Sequence, residues 1–152
     1  MARSSYNDEL MRADGRADAV NLRRICEIYR NYFRSFARDK EQFFENHADD
    51  IEAFYLTHSD PDLGLALVVL CASIYDDPEF LFFVAAGPLE DILRKPDQEM
   101  LDRVLAEACK NARFRWMLTG VYPHAIADKA RPEIASVIGS LTEADPMPPR
   151  LP

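Results

Sequence analysis

Apolar residues recur at helical spacing along most of this chain. From Asp18 to about Arg38, the residues Leu22, Ile25, Cys26, Tyr29, Tyr32, Phe33 and Phe36 fall on one arc at ~100° per residue, which predicts an amphipathic helix. A second helix is predicted over about Glu41–Thr57, with Phe43, Phe44, Ile51, Phe54 and Tyr55 inward and Glu41, Glu45, Asp49 and Glu52 outward. Asp60 then reads as an N-cap, with Pro61 at the first helical position and Asp62 in the first turn. The stretch LGLALVVLCASIY that follows is apolar on all sides, which marks a central helix covered by its neighbours.

The same start signal recurs at Asp76-Asp77-Pro78-Glu79 and opens PEFLFFVAA. Gly87 is expected to end that helix in a left-handed conformation, and Pro88 to restart the chain as PLEDILRK, with Glu90 favouring the new start through the helix dipole. Asp97 is the predicted cap of a helix over about Gln98–Ala112. Its inner side is Leu101, Val104, Leu105, Ala108 and Cys109, with Glu99, Arg103, Glu107 and Lys110 outside. A short helix, ARFRWMLTG, should end near Gly120, and Pro123–Ala130 and Pro132–Leu141 complete the fold. Five glycines and few alternating β-branched runs leave little support for a sheet. The expectation is one all-α domain over residues 1–141, with seven or eight short helices in an irregular bundle or a stack of helical hairpins. Residues 1–14 form a mobile start or a short helix in this reading, and the proline-rich tail 142–152 is flexible unless a partner holds it.

Charge changes the picture more than composition does. The chain has 26 acidic and 18 basic residues, a net charge of −8, in 152 residues. Between Lys40 and Arg94 it has no Lys or Arg but twelve acids, whereas the first forty residues hold nine of the basic groups. Direct binding to nucleic acid or to an anionic membrane is disfavoured, since both reward cations. The longest apolar run, Leu63–Ala72, is too short to span a bilayer, and the start MARSSYNDELMRADGR has no apolar core of a secretory signal. The expected compartment is the cytoplasm. Cys26, Cys71 and Cys109 are odd in number and have no CxxC spacing, so three buried thiols are expected rather than a disulfide, metal or redox site.

The segments AAGPLEDIL (85–93) and EACKNARFRWMLTGVY (107–122) are similar to an uncharacterised bacterial domain family with a Gly-Pro-Leu-Glu-Asp-Leu-Leu run and a Phe-Arg-X-X-Leu-X-Gly-Val run. The resemblance covers about residues 60–122. It implies a helical bacterial domain of unknown function and assigns no catalytic role to any residue.

Chemistry is sparse. The Walker, G-x-S-x-G, H-E-x-x-H and dinucleotide glycine patterns do not occur. His47 and His58 are three turns apart, about 16 Å along a helix axis, which suits satisfied boundary histidines better than a metal pair. His124 has no readable partner. The doublets Asp49-Asp50, Asp76-Asp77 and Glu90-Asp91 point ~100° apart on a helix and make no acid–base dyad by themselves. No catalytic residue, metal site or cofactor is expected. Arg113, Arg115 and Trp116 are residue types enriched at interaction hot spots, although at this spacing Phe114, Met117 and Leu118 read as core with Trp116 at its edge.

The Arg-rich face of the first long helix has three readings: a solvated face, a partner for the chain's own acids, or a phosphate contact. The function expected from these features is a non-enzymatic protein-binding module, an acidic inhibitor or immunity-type protein that blocks a basic, nucleic-acid-handling or toxin partner. Its binding surface would comprise Glu41, Glu45, Asp49, Asp50, Glu52, Asp60, Asp62, Asp76, Asp77 and Glu79, with Arg113, Arg115 and Trp116 as secondary candidates. Two alternatives stand beside it: a small enzyme or ligand-binding domain using carboxylates or histidine in an interhelical cleft, and a structural homo-oligomer subunit.

Overall fold

A computed structural model describes residues 19–36, 45 and 58–150, and all of its regular structure is helical. Helix α1 spans Ala19–Phe36, α2 Pro61–Ile74, α3 Pro78–Val84, α4 Glu90–Arg94, α5 Gln98–Lys110, α6 Ala112–Met117 and α7 Arg131–Ile138. Short 3₁₀ turns occupy Leu118–Gly120 and Pro123–Ala125. The all-α single-domain architecture expected from the apolar spacing is the one observed. The predicted helix over Glu41–Thr57 lies outside the described residues.

Start signals act as local chemistry dictates. The Asp60 carboxylate accepts from the backbone N–H groups of Asp62 and Leu63, at 3.1 and 3.3 Å, and Pro61 occupies the first turn, where no donor is needed. Asp77 does the same for Glu79 and Phe80, and Asp97 accepts from Met100 at 2.7 Å. Each such cap contributes about 1 kcal/mol. Helix α2 is buried continuously from Leu63 to Ala72 and forms the centre of the molecule. It packs against α1, α3, α4 and α6, while α7 closes over α5 and α6.

Gly87 does not end a helix. Instead α3 runs into α4 through a five-residue π-helical stretch, Ala85–Leu89, with Pro88 inside it. The N–H of Glu90 bonds to the carbonyl of Ala85, five residues back, and also to that of Gly87. Proline has no N–H, and its ring crowds the carbonyl four residues earlier. Wider winding relieves that clash without breaking the axis. The left-handed glycine is Gly139, φ 61°, at the end of α7. Gly120 is needed for another reason: a Cβ there would lie 2.4 Å from Phe82 Cδ1, and the Phe82 ring is already pressed on Trp116 with centroids 4.2 Å apart.

Other side chains depart from the expected faces. Glu107 is buried and accepts from the Asn111 amide at 3.0 Å, so the carboxylate expected outside α5 joins α5 to the start of α6. Cys109 is exposed, whereas Cys26 and Cys71 are buried with their sulfurs 3.5 Å apart. Burial, and then the hydrogen bond to Cys26, push the Cys71 thiol well above its ordinary value, which makes it a poor nucleophile. No helix among the described residues is long and apolar enough to cross a membrane.

Candidate functional site

The π-helical stretch sets the register of Glu90 and Asp91 at the head of α4. Asp91 faces His58, which lies in a helical turn just before the Asp60 cap. The His58 Nδ1 is hydrogen bonded to Asp91 Oδ2, and its Nε2 lies 3.1 Å from the Tyr29 hydroxyl on α1. Three segments distant in sequence are thereby joined through one imidazole, with the His58 and Asp91 side chains about a quarter exposed. Glu90 turns the other way. It pairs with Arg94 at 3.1 Å and accepts from the Tyr122 N–H, so it holds α4 to the loop after α6.

Beside Asp91 opens a cleft of about 340 Å³ between the start of α2 and the α4–α5 corner. Asp62, Lys95, Asp97, Glu99 and Arg103 line it along with Asp91. Arg103, expected to project into solvent, lies across the cleft and pairs with Asp62 at 2.5 Å, its side chain only 9% exposed. The cleft is polar and more acidic than basic, which suits a ligand carrying positive charge.

A second charged cluster lies at the other end of α2. The Arg113 guanidinium is buried and donates to the carbonyls of Ala72 and Tyr75, at 3.1 and 3.0 Å, and to Asp76 at 3.0 Å. It closes the carbonyl end of α2, where a helix leaves acceptors unpaired and its dipole favours a cation. Arg150 meets Asp76 with two nitrogens, Nε on Oδ1 at 2.7 Å and Nη2 on Oδ2. Hydrogen bonds from Arg150 and then from Arg113 hold the Asp76 carboxyl well below the usual carboxylate range. Arg30 of α1 pairs with Asp77 at 2.5 Å and sits over the rings of Tyr75 and Phe80. Burial would raise the Asp77 pKa, but Arg30 and the capped N–H groups of Phe80 and Glu79 outweigh it and the value falls. The Tyr75 hydroxyl is pushed up to about 12, first by burial and then by neighbouring Cys26, Cys71 and Glu27, against Arg30.

These pairings redraw the acidic surface expected from the sequence. Asp60 is a buried cap, Asp62 is bound to Arg103, Asp76 to two arginines, and Asp77 to Arg30 while capping α3. Glu45 and Glu79 are exposed. Glu41, Asp49, Asp50, Glu52 and His47 lie outside the described residues. The secondary candidates also turn inward: Arg113 is 3% exposed, Trp116 is 1% exposed, and Arg115 donates to the Ala108 carbonyl at 2.8 Å. Trp116 is thus a core residue, not the edge residue expected. For the Arg face of α1, Arg30 follows the reading in which the helix meets the chain's own acids, while Arg23 and Arg34 are exposed. The tail also meets the body: as far as Arg150, the partner that holds it is the chain itself.

Sequence reasoning missed the Tyr29–His58–Asp91 array. The one local signal was the Gly-Pro-Leu-Glu-Asp run, whose proline forces the π winding. Among the described residues no group of three or more His, Cys, Asp or Glu is placed to hold a metal ion. No curated protein and no solved structure matches the chain. A family model does match, over residues 37–140, which span His58, the central helix α2, the π-helical Gly-Pro-Leu-Glu-Asp run and the Phe114–Trp116 segment; the chain belongs to the family of unknown function DUF6869.

Proposed function

We propose that this protein is a non-enzymatic protein-binding module that uses negative charge to engage a basic partner, as an inhibitor or immunity-type protein would. The observation that carries this reading is the charge balance. The chain carries 26 acids against 18 bases, a net charge of −8, so its own cations leave negative charge in excess. Arginines from α1, α5, α6 and the tail neutralise Asp77, Asp62 and Asp76. Excess charge therefore weighs on the other acids, including exposed Glu45 and Glu79. An anionic surface of this kind speeds encounter with a cationic cleft and blocks it.

The test begins with a pull-down and mass-spectrometric identification of partners. Association kinetics then follow for wild type and for a variant combining Glu41→Gln, Glu45→Gln, Asp49→Asn and Glu52→Gln. Association should slow most at ~0.01 M salt, where the Debye length is ~30 Å, and converge with wild type as salt rises. The melting temperature should hardly move, since exposed ion pairs contribute only about 0–1 kcal/mol each. A variant that melts lower yet associates at the wild-type rate would assign these charges to folding and remove the reading.

The acidic cleft beside Asp91 favours a second reading, a domain that binds a small cationic ligand such as an amine or a guanidine. Its support is the convergence of Asp62, Asp91, Asp97 and Glu99 on one 340 Å³ hollow. Isothermal titration with a diamine and with arginine checks it. Saturable binding that Asp91→Asn weakens severalfold is expected; heats indistinguishable from dilution for both compounds would exclude it.

A further inference from the structure

The tail beyond α7 is seated on the body by a particular set of contacts. Thr142 to Asp145 form a turn in which the Thr142 N–H donates to the Asp145 carboxylate at 2.7 Å and the Asp145 N–H donates to the Thr142 carbonyl at 3.1 Å. From there the segment Pro146-Met147-Pro148-Pro149-Arg150 continues without regular secondary structure. The Trp116 indole N–H donates to the Asp145 carbonyl at 2.9 Å, and Arg113 Nε donates to the Pro148 carbonyl at 2.8 Å. Met147 packs on the edge of the core, and Arg150 forks onto Asp76.

Two of these contacts read main-chain carbonyls, which any sequence offers. Proline makes them suitable for recognition, because it fixes the backbone at φ ≈ −65° and has no N–H with which to turn back on itself. An extended proline-rich segment is therefore already ordered, loses little entropy on docking and presents bare acceptors to an aromatic or cationic donor. The third contact supplies selectivity, because a bidentate carboxylate–guanidinium pair demands an arginine at one position. The receiving side is preorganised. Trp116 is held against Phe82, and Arg113 by the Ala72 and Tyr75 carbonyls, through contacts that do not involve the tail.

We propose that Trp116, Arg113 and Asp76 form a recognition groove for extended Pro-x-x-Pro-Arg segments, filled in cis by Pro146–Arg150 and open to the same motif on a second protein when the tail lifts. This deepens the protein-binding reading by naming a partner chemistry, but it uses a different surface from the acidic one. Either can fail without the other. The tail then acts as a built-in competitor that sets how tightly an outside segment must bind.

The experiment uses the full-length chain carrying Pro146→Gly, Pro148→Gly, Pro149→Gly and Arg150→Ala, which leaves the groove intact and spoils its occupant. Trp116 is the sole tryptophan, so its fluorescence reports this site alone. Acrylamide quenching should rise in the variant. A synthetic peptide of residues 142–150 should then reverse the rise saturably, and the same peptide with Arg150→Ala should bind about two- to fivefold more weakly, as expected for loss of one half-exposed ion pair. The single variant Arg150→Ala serves as a milder release of the tail, and circular dichroism of both checks that the helices persist. Quenching identical to wild type in both variants would show that the tail does not cover the groove. Failure of the peptide to reverse the rise, or equal reversal by a scrambled peptide, would show that the groove does not recognise it. Either result overturns the proposal.

Discussion

Trp116→Ala is expected to be the most damaging single substitution in the described part of the chain, costing about 3–5 kcal/mol as large aromatic-to-alanine changes in a core do. The ring is 1% exposed and lies 4.2 Å, centroid to centroid, from Phe82. Its removal therefore opens a cavity that the backbone of α6 cannot readily collapse. Phe82 is in turn hemmed in by Gly120, where even a methyl group would collide with it. The tail loses its indole donor as well. For a chain of this size each kcal/mol shifts melting by ~2–4 °C, so a fall of roughly 6–20 °C is expected by calorimetry or circular dichroism. Trp116→Phe should recover much of the loss, because it restores apolar volume but not the N–H donor. A Trp116→Ala protein melting within about 2 °C of wild type would contradict the packing described here. It would return the residue to the surface role its type suggests.

Arg113→Ala should rank next, at about 3 kcal/mol. A buried acceptor left without its donor costs ~1–3 kcal/mol, and hydrogen bonds to a charged group lie toward the upper end. Arg113 serves the carbonyls of Ala72, Tyr75 and Pro148 together with Asp76. The Asp76 part of that loss is discounted, because its carboxylate is half exposed and water can replace the arginine there. Arg113→Lys keeps the charge but not the planar fork, so it should rescue only part of the melting loss. If Arg113→Lys melts like wild type, the residue acts as a point charge at the end of α2 and the directional hydrogen bonds contribute little. If Arg113→Ala itself is neutral, the closure of α2 by this side chain has no energetic weight.

Both residues show where reading by residue type misleads. An arginine and a tryptophan three residues apart resemble an exposed hot spot. On α6, however, that spacing points them the same way, and the C-terminal end of α2 and the returning tail cover that side. Whether such a face meets solvent or another segment depends on contacts 29 to 41 residues distant in sequence. The same holds for Asp62 and Asp77, which are helix-start residues by local chemistry. Tertiary packing also brings Arg103 and Arg30 to them from other helices. Gly87 departs from the expected helix end for a related reason: a glycine before a proline is compatible with a helix end, but packing of α3–α4 along α2 keeps the helix continuous, and Pro88 then requires the wider winding.

What the sequence determined alone was helix periodicity and helix starts, which depend on neighbours within about four residues. Helical spacing in α1 and α5, and the capping carboxylates Asp60, Asp77 and Asp97, follow from periodicity and from unpaired N–H groups at helix starts. The uniformly apolar α2 likewise announced itself as the centre. Tertiary structure alone decided which charges meet. Tyr29 finds His58 and His58 finds Asp91 across 29 and 33 residues, and Asp76 gathers Arg113 and Arg150 across 37 and 74. Such pairs leave no periodic trace, because a salt bridge between distant segments requires only that two helix faces come together. The faces are selected by the burial of apolar surface, which is non-directional and far larger in sum than any one ion pair.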